Sequence, residues 1–144
     1  MARTYWHTGD EKYAKEWCSQ LVDWTRKNPN DKDHNFAWRS IEAGIRGHSW
    51  TDLFQYFIDS PNFTPEVLTA FLNSCFDHAD FLMTVYRSKS NWGLMEAEGL
   101  AFIAMTFPEF KDSEKWLTEA IRRLNSEIDL QVHPDGHQRE LAMG

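Results

Sequence analysis

The sequence is short of the residues that most readily betray a function. It has two cysteines, Cys18 and Cys75, in 144 residues. Two cannot make a disulfide framework, and their separation fits no metal-ligand spacing. Each lies among helix-forming residues, which suits a small buried apolar group and says nothing of compartment. No apolar run is long enough to span a membrane. Met1–Gly9 shows no signal-peptide pattern. Positive charge is scarce: 15 Lys and Arg stand against 22 Asp and Glu, a formal net charge of -7. That argues against general nucleic-acid binding. No segment of useful length alternates with a strand period, and nothing in the chain calls for a cofactor.

What is present is apolar and helical. The chain is 42% hydrophobic and 15% aromatic, with seven tryptophans. This composition belongs to a globular domain with a real core. A first helix is expected from Asp10 to Lys27, because Tyr13, Trp17, Leu21 and Trp24 recur at helical spacing. Arg3–His7 reads as the tail of an earlier element. A second helix is expected from Phe36 to Asp59, with Trp38, Ile41 and Ile45 inward and a bend near Gly44–Ser49. Thr64 caps a third helix, Pro65 takes its first position, and the helix continues to about Tyr86. Ser113 caps a last helix with an apolar stripe of Trp116, Ala120, Ile121, Leu124 and Ile128. Its opening echoes Asp10–Tyr13 weakly, as stacked hairpins would. Five helices with short links predict an all-α fold.

The stretch from Ser88 to Phe107 organises the rest. Ser90 and Asn91 suit a helix start. From Gly99 onward the helix is apolar on every side, so burial is expected, and Pro108 stops it. A buried helix with a polar mouth at Asn91 offers free N–H groups and a positive dipole end to an anion. Asn91 and Glu98 are seven residues apart and share a face. The plainer alternative is an N-cap at Asn91 and a satisfied buried acid at Glu98. Arg39, Glu42 and Arg46 share a stripe, read either as a surface ion network or as a source of a guanidinium for a carboxylate or sulfate. His78, on a packed helix, reads as structural. His133-Pro134-Asp135-Gly136 has the order of a β-turn. That turn accounts for the His133, Asp135 and His137 alternation better than a metal site does, so no metal is expected.

Four segments carry a family likeness: Ser90-Asn91-Trp92-Gly93, Glu96-Ala97-Glu98-Gly99-Leu100, Glu127-Ile128, and Pro134-Asp135-Gly136-His137-Gln138-Arg139-Glu140-Leu141. In order and separation they resemble the heparinase II/III family of polysaccharide lyases, its heparan sulfate-cleaving branch above all. The likeness runs from about Trp38 to Gly144. It implies a fragment, residues 1–144, of a helical (α/α) toroid whose other helices and C-terminal β-sandwich are absent. It implies β-elimination on an acidic, heparan sulfate-like polysaccharide, in the periplasm or outside the cell. By the same likeness Asn91 binds the uronate carboxylate, and an arginine of the second helix, Arg46 ahead of Arg39, approaches the substrate. Trp92, Glu98, His137 and Glu140 are further cleft residues. Trp92 stands where some relatives, notably alginate lyases, carry a histidine. The family's catalytic Tyr-His pair would follow Gly144. The fragment alone is therefore expected to be inactive, and its uncovered apolar surface to favour self-association. An alginate or other polyuronate lyase, or a non-catalytic carbohydrate-binding or protein-interaction helical module, is the alternative. A glycosidase on a similar toroid would need paired carboxylates across the bond, and Glu96 and Glu98 diverge on their helix.

Overall fold

Helix propensity and apolar spacing yield six α-helices among the described residues. The computed structural model describes residues 1–139, the side chain of Lys32 excepted. The helices are α1 (Ala2–Thr8), α2 (Lys12–Lys27), α3 (Ser40–Phe57), α4 (Pro65–Thr84), α5 (Asn91–Thr106) and α6 (Ser113–Gln131). A 3₁₀ turn, Lys32–His34, sits between α2 and α3. The all-α expectation holds. The tail before Asp10 is itself a helix, closed by Gly9 in the left-handed conformation at φ 63°.

Helix α5 is the central element, packed against α3, α4 and α6. Ala97, Leu100, Ile103 and Ala104 are buried, while Met105 stays exposed. The expected bend in the second helix is absent: α3 runs unbroken from Ser40. Its glycines serve a different purpose. A Cβ on Gly44 would lie 2.2 Å from the Met95 carbonyl oxygen, and one on Gly99 would lie 2.2 Å from the Gly44 carbonyl oxygen. The two backbones therefore meet where side chains would keep them apart. The same contact corrects the inward face of α3. Ala43, Gly44, Gly47 and Thr51 are buried, whereas Ile45 is exposed. The helix also starts at Ser40 rather than Phe36, because Arg39 is still extended.

An aromatic cluster closes the other side. Trp17 stacks on Phe57 at 5.1 Å and on Phe63 at 5.8 Å, and Phe54 stacks on Phe71 at 5.1 Å. Thr64 caps α4 as expected, its hydroxyl oxygen accepting from Val67 N–H. The far end of α4 is satisfied from a distance. Buried Arg123 on α6 donates to the carbonyls of Leu82, Met83 and Val85. These are the carbonyls that a helix end leaves without intrahelical partners.

Helix α6 departs from its expected stripe. Trp116, Ala120, Arg123, Glu127 and Gln131 are buried, and Ile121 and Ile128 are exposed. Polar groups held in hydrogen bonds occupy the inner face, so hydrophobicity alone misplaces it. Ser113 is not the cap but the first helical residue, with Asp112 before it. Its buried hydroxyl donates to Ala104 O at 2.7 Å and ties α6 to the end of α5. Beyond α6 the chain turns at Pro134. Gly136 N–H donates to His133 O at 2.8 Å, and Val132 bridges Gln138.

Candidate active site at the start of helix α5

Ser90 is the residue before α5, and Asn91 is its first helical residue. Neither side chain caps the helix. Ser90 Oγ instead donates to Arg87 O at 2.8 Å. Asn91 is exposed, and among the described residues nothing engages its amide. The plain N-cap reading of Asn91 therefore does not apply. Its side chain is free beside the N–H groups and positive dipole end of α5.

Trp92 stands next to it, half-buried between two cations. The Arg87 guanidinium lies 4.7 Å from its ring centre and that of Arg39 lies 5.9 Å away. Arg39 also covers Phe36 at 4.9 Å and pairs with Glu42. Guanidinium planes on aromatic rings keep their edge N–H groups available for an anion. Arg87 was not singled out from the sequence. The signal for it was an arginine in the loop just before an aromatic at a helix start.

Arg46 lies elsewhere. Its Nε donates to His78 Nε2 at 2.9 Å and its Nη2 donates to Ala37 O at 2.6 Å. The guanidinium sits over Trp24 at 4.4 Å and Trp38 at 5.7 Å. Burial pushes its pKa down to about 10, still charged at neutral pH. The surface network expected of Arg39, Glu42 and Arg46 is thus reduced to the Arg39–Glu42 pair. His78 is buried among Trp24, Trp38 and Trp50. Its Nδ1–H donates to Ser74 O at 2.6 Å, so Nε2 is left to accept from Arg46. Burial first, and then the Arg46 charge, push its pKa down to about 3. This is the structural histidine that the sequence suggested.

Glu98 is half-exposed rather than buried, with its carboxylate 3.4 Å from His48 Nδ1. His48 stacks on Phe102 at 4.1 Å. The fully buried acids are Glu96 and Glu127, both 0% exposed. Glu96 Oε2 accepts from Arg87 N–H at 2.7 Å, while its Oε1 has no partner among the described residues. Glu127 accepts from Tyr86 OH at 2.5 Å, Lys89 N–H at 3.0 Å and Gln131 Nε2 at 2.5 Å. Burial raises its pKa, but donors from Tyr86, Gln131, Ser88 and Lys89 outweigh that and hold it below the usual value. Both acids stand in the segments that carry the family likeness, but sequence reasoning gave neither a role in the site's frame. For Glu127 the signal was its place in the Trp116, Ala120, Arg123, Glu127, Gln131 spacing, where polar residues continue an apolar stripe.

The C-terminal motif comes to the same place. Gln131 Nε2 donates to Ser90 O at 3.0 Å, and Arg139 N–H donates to Gln131 O at 2.7 Å. A hollow of about 490 Å³ is lined by Lys89, Leu130, Gln131 and Arg139. His137 is exposed in the turn, its backbone N–H bonded to Asp135 Oδ1 at 3.1 Å. Glu140 lies outside the described residues.

This helical chain, taken as a whole in sequence and fold, matches a known class. The family model described as the heparinase II/III N-terminus matches residues 1–144, and the chain belongs to that family. It is 47% identical over 148 residues to the heparin-sulfate lyase of Pedobacter heparinus, covering 99% of this chain and 22% of that one. It is 38% identical to the heparin-sulfate lyase of Bacteroides stercoris, covering 98% of this chain and 24% of that one. Among solved structures, it superposes on the heparan sulfate lyase HepC of Pedobacter heparinus with a TM-score of 0.85. That match is 47% identical and covers 96% of this chain and 22% of the other. A heparinase III structure gives a TM-score of 0.87 at 38% identity, covering 98% and 25%. The chain thus spans less than a quarter of the length of these curated relatives.

Proposed function

We propose that residues 1–144 are part of the (α/α) toroid of a longer lyase that cleaves a heparan sulfate-like polysaccharide by β-elimination. One observation carries the reading. An unengaged Asn91 amide opens at the start of α5, beside Trp92 and the Arg39 and Arg87 guanidinium groups. The relatives' activity on heparan sulfate supports the substrate.

The chemistry asks for such a site. The proton at C5 of a uronic acid is barely acidic while the neighbouring carboxylate keeps its charge. Donors on that carboxylate spread the charge of the enolate-like intermediate. Asn91 supplies one donor, the α5 N-terminus adds positive potential, and Arg39 and Arg87 draw the anionic chain. A base then takes the C5 proton and an acid protonates the departing glycosidic oxygen. The product carries an unsaturated uronate. By the family likeness, an acid/base tyrosine and a partner histidine lie outside these 144 residues, so turnover is expected only from the longer enzyme. Glu98, His137 and Glu140 are secondary candidates for substrate contact. Arg46 is a weaker one, because two of its donors are spent in the core. A periplasmic or secreted location fits such a substrate. Exposed Ile121, Ile128 and Met105 are surface that further helices would cover, or that would drive the isolated chain to self-associate.

The test is to incubate the longer enzyme with heparan sulfate and to follow both chain ends. Unsaturated uronate appearing with each new reducing end is the expected result. New reducing ends without unsaturation would make it a hydrolase, and binding without cleavage would make it a module.

A further inference from the structure

The loop Val85–Ser90 delivers the chain to Asn91, and it is held in an unusual way. Lys89 is the sole non-glycine residue with positive φ among the described residues, at 67°. A lysine in that conformation is sterically disfavoured and persists when its surroundings impose it. Three buried side chains impose it here, all through hydrogen bonds to the loop backbone. Glu96 Oε2 accepts from Arg87 N–H, Glu127 accepts from Lys89 N–H through both oxygens at 3.2 and 3.0 Å, and Gln131 donates to Ser90 O. Glu127 is the hub, since Gln131 and Tyr86 also donate to it.

We propose that Glu127, reaching from α6, is a positioning residue for the lyase site: it locks Lys89 left-handed and so sets the direction in which α5 presents Asn91. The inference rests on the proposed lyase function. Glu127 does not touch substrate; it is fully buried. It acts through the backbone two residues before Asn91. Every group that faces its carboxylate is a donor, so glutamine cannot replace it silently. One of its two terminal atoms becomes an NH₂ that must face an N–H or O–H donor. The N–H of the left-handed residue, which faces both oxygens, then meets that NH₂ beside the one oxygen that remains, so the bond that compensates its strain is weakened and the first turn of α5 is free to shift. A displacement of about 1 Å at a reacting group costs on the order of a hundredfold in rate.

The experiment uses the longer enzyme with heparan sulfate and compares substitutions at two ends of one hydrogen bond. Glu127→Gln is expected to lower kcat by on the order of a hundredfold, with KM changed far less. Lys89 is exposed, so changes there do not threaten folding. Lys89→Val and Lys89→Gly both remove the charge, but valine alone resists a positive φ. Valine should therefore reproduce the kcat loss, and glycine should not. In the Lys89→Gly background, Glu127→Gln should cost much less than it does alone, because glycine holds φ 67° unaided. Amide exchange supplies a readout independent of activity: Tyr86–Gly93 should lose protection in Glu127→Gln while the rest of α6 keeps it. Unchanged exchange in that loop overturns the inference. So does an unchanged kcat, an equal loss in both Lys89 backgrounds, or equal kcat for the valine and glycine variants. A wild-type enzyme that makes no unsaturated product fails the lyase proposal instead, and does so before any variant is compared.

Discussion

Asn91 occupies the first turn of α5 and not its cap, so stability and activity can be separated at a single residue. Asn91→Asp places a negative charge at a helix N-terminus, where it is neutral or slightly stabilising, by about 0.3–1 kcal/mol. The same charge would repel a uronate carboxylate. We therefore expect an unchanged or slightly higher melting temperature and severe loss of lyase turnover in the longer enzyme. Asn91→Ala should lower kcat by about two to three orders of magnitude, as loss of one oxyanion donor does. Wild-type rates with Asn91→Asp would remove Asn91 from the site. His78 makes the opposite case, a polar residue whose role is stability. Its folded pKa, about 3, lies below the ordinary 6.5. The folded state keeps the ring neutral while the unfolded chain takes a proton below 6.5. Its contribution is thus fully present above pH 6.5 and falls as pH drops from there toward 3, by up to about 1.4 kcal/mol per pH unit. Glu119, held down to about 2 by Arg122 and Arg123, loses its contribution only below the ordinary 4.5. Between about pH 6.5 and 5 the slope should therefore belong to His78. Chemical denaturation across that window should show falling stability in the wild type and a flatter profile in His78→Gln. Equal slopes would assign the effect elsewhere.

At the scale of elements, the α3–α5 contact is the tightest constraint on the site, because Arg39 enters from the residue just before α3 and Asn91 from the first turn of α5. Gly99→Ala would push a methyl to 2.2 Å from the Gly44 carbonyl oxygen, a backbone atom with no rotamer to yield. We expect a loss of about 3 kcal/mol, the upper end of overpacking costs. Gly9→Ala, by contrast, meets nothing within 4 Å and strains only its own φ. A drop in melting temperature no larger for Gly99→Ala than for Gly9→Ala would show that the helices can separate freely. The same glycines explain what the sequence could and could not disclose. Helix existence was legible from periodic apolar residues such as Trp17, Leu21 and Trp24, and the α4 start from Thr64 and Pro65. The bend assigned to Gly44–Ser49 was a misreading, since a glycine that admits a neighbouring backbone looks in one dimension like one that breaks a helix. The inner face of α6 was illegible for a related reason. Arg123, Glu127 and Gln131 are buried because α4 and the Val85–Ser90 loop supply their partners, which lie some 38–41 residues away in sequence. At the candidate site, the family likeness singled out Asn91 and Trp92 and included Glu96 and Glu127 without a role, whereas the burial of those two acids and the place of Arg87 over Trp92 needed the fold.

For the whole molecule the open problem is charge: a region with net charge -7 is proposed to serve an enzyme of a polyanion. Net charge acts over distances that salt screens, with a Debye length of about 10 Å at 0.1 M and about 30 Å at 0.01 M. A bound uronate or sulfate responds instead to the groups in contact with it. Arg39 and Arg87, which lie over Trp92, are placed for such contact, while acids such as Glu16 lie on α2, which packs mainly on α1 and α4. Two opposite expectations follow for KM in the longer enzyme. If local field governs, Arg39→Ala or Arg87→Ala raises KM several-fold, more at low salt, and flattens its dependence on ionic strength. Glu16→Gln, which makes the region less negative by one charge, leaves KM where it was. If net charge governs, Glu16→Gln lowers KM about as much as either arginine change raises it. Arg46→Ala completes the series. It strips buried His78 Nε2 of its donor inside the aromatic box and half-buried Ala37 O of its own, and leaving a buried acceptor unpaired costs about 1–3 kcal/mol. A lower melting temperature with an unchanged salt slope is therefore expected. An Arg46→Ala slope as flat as that of Arg39→Ala would instead return Arg46 to the substrate.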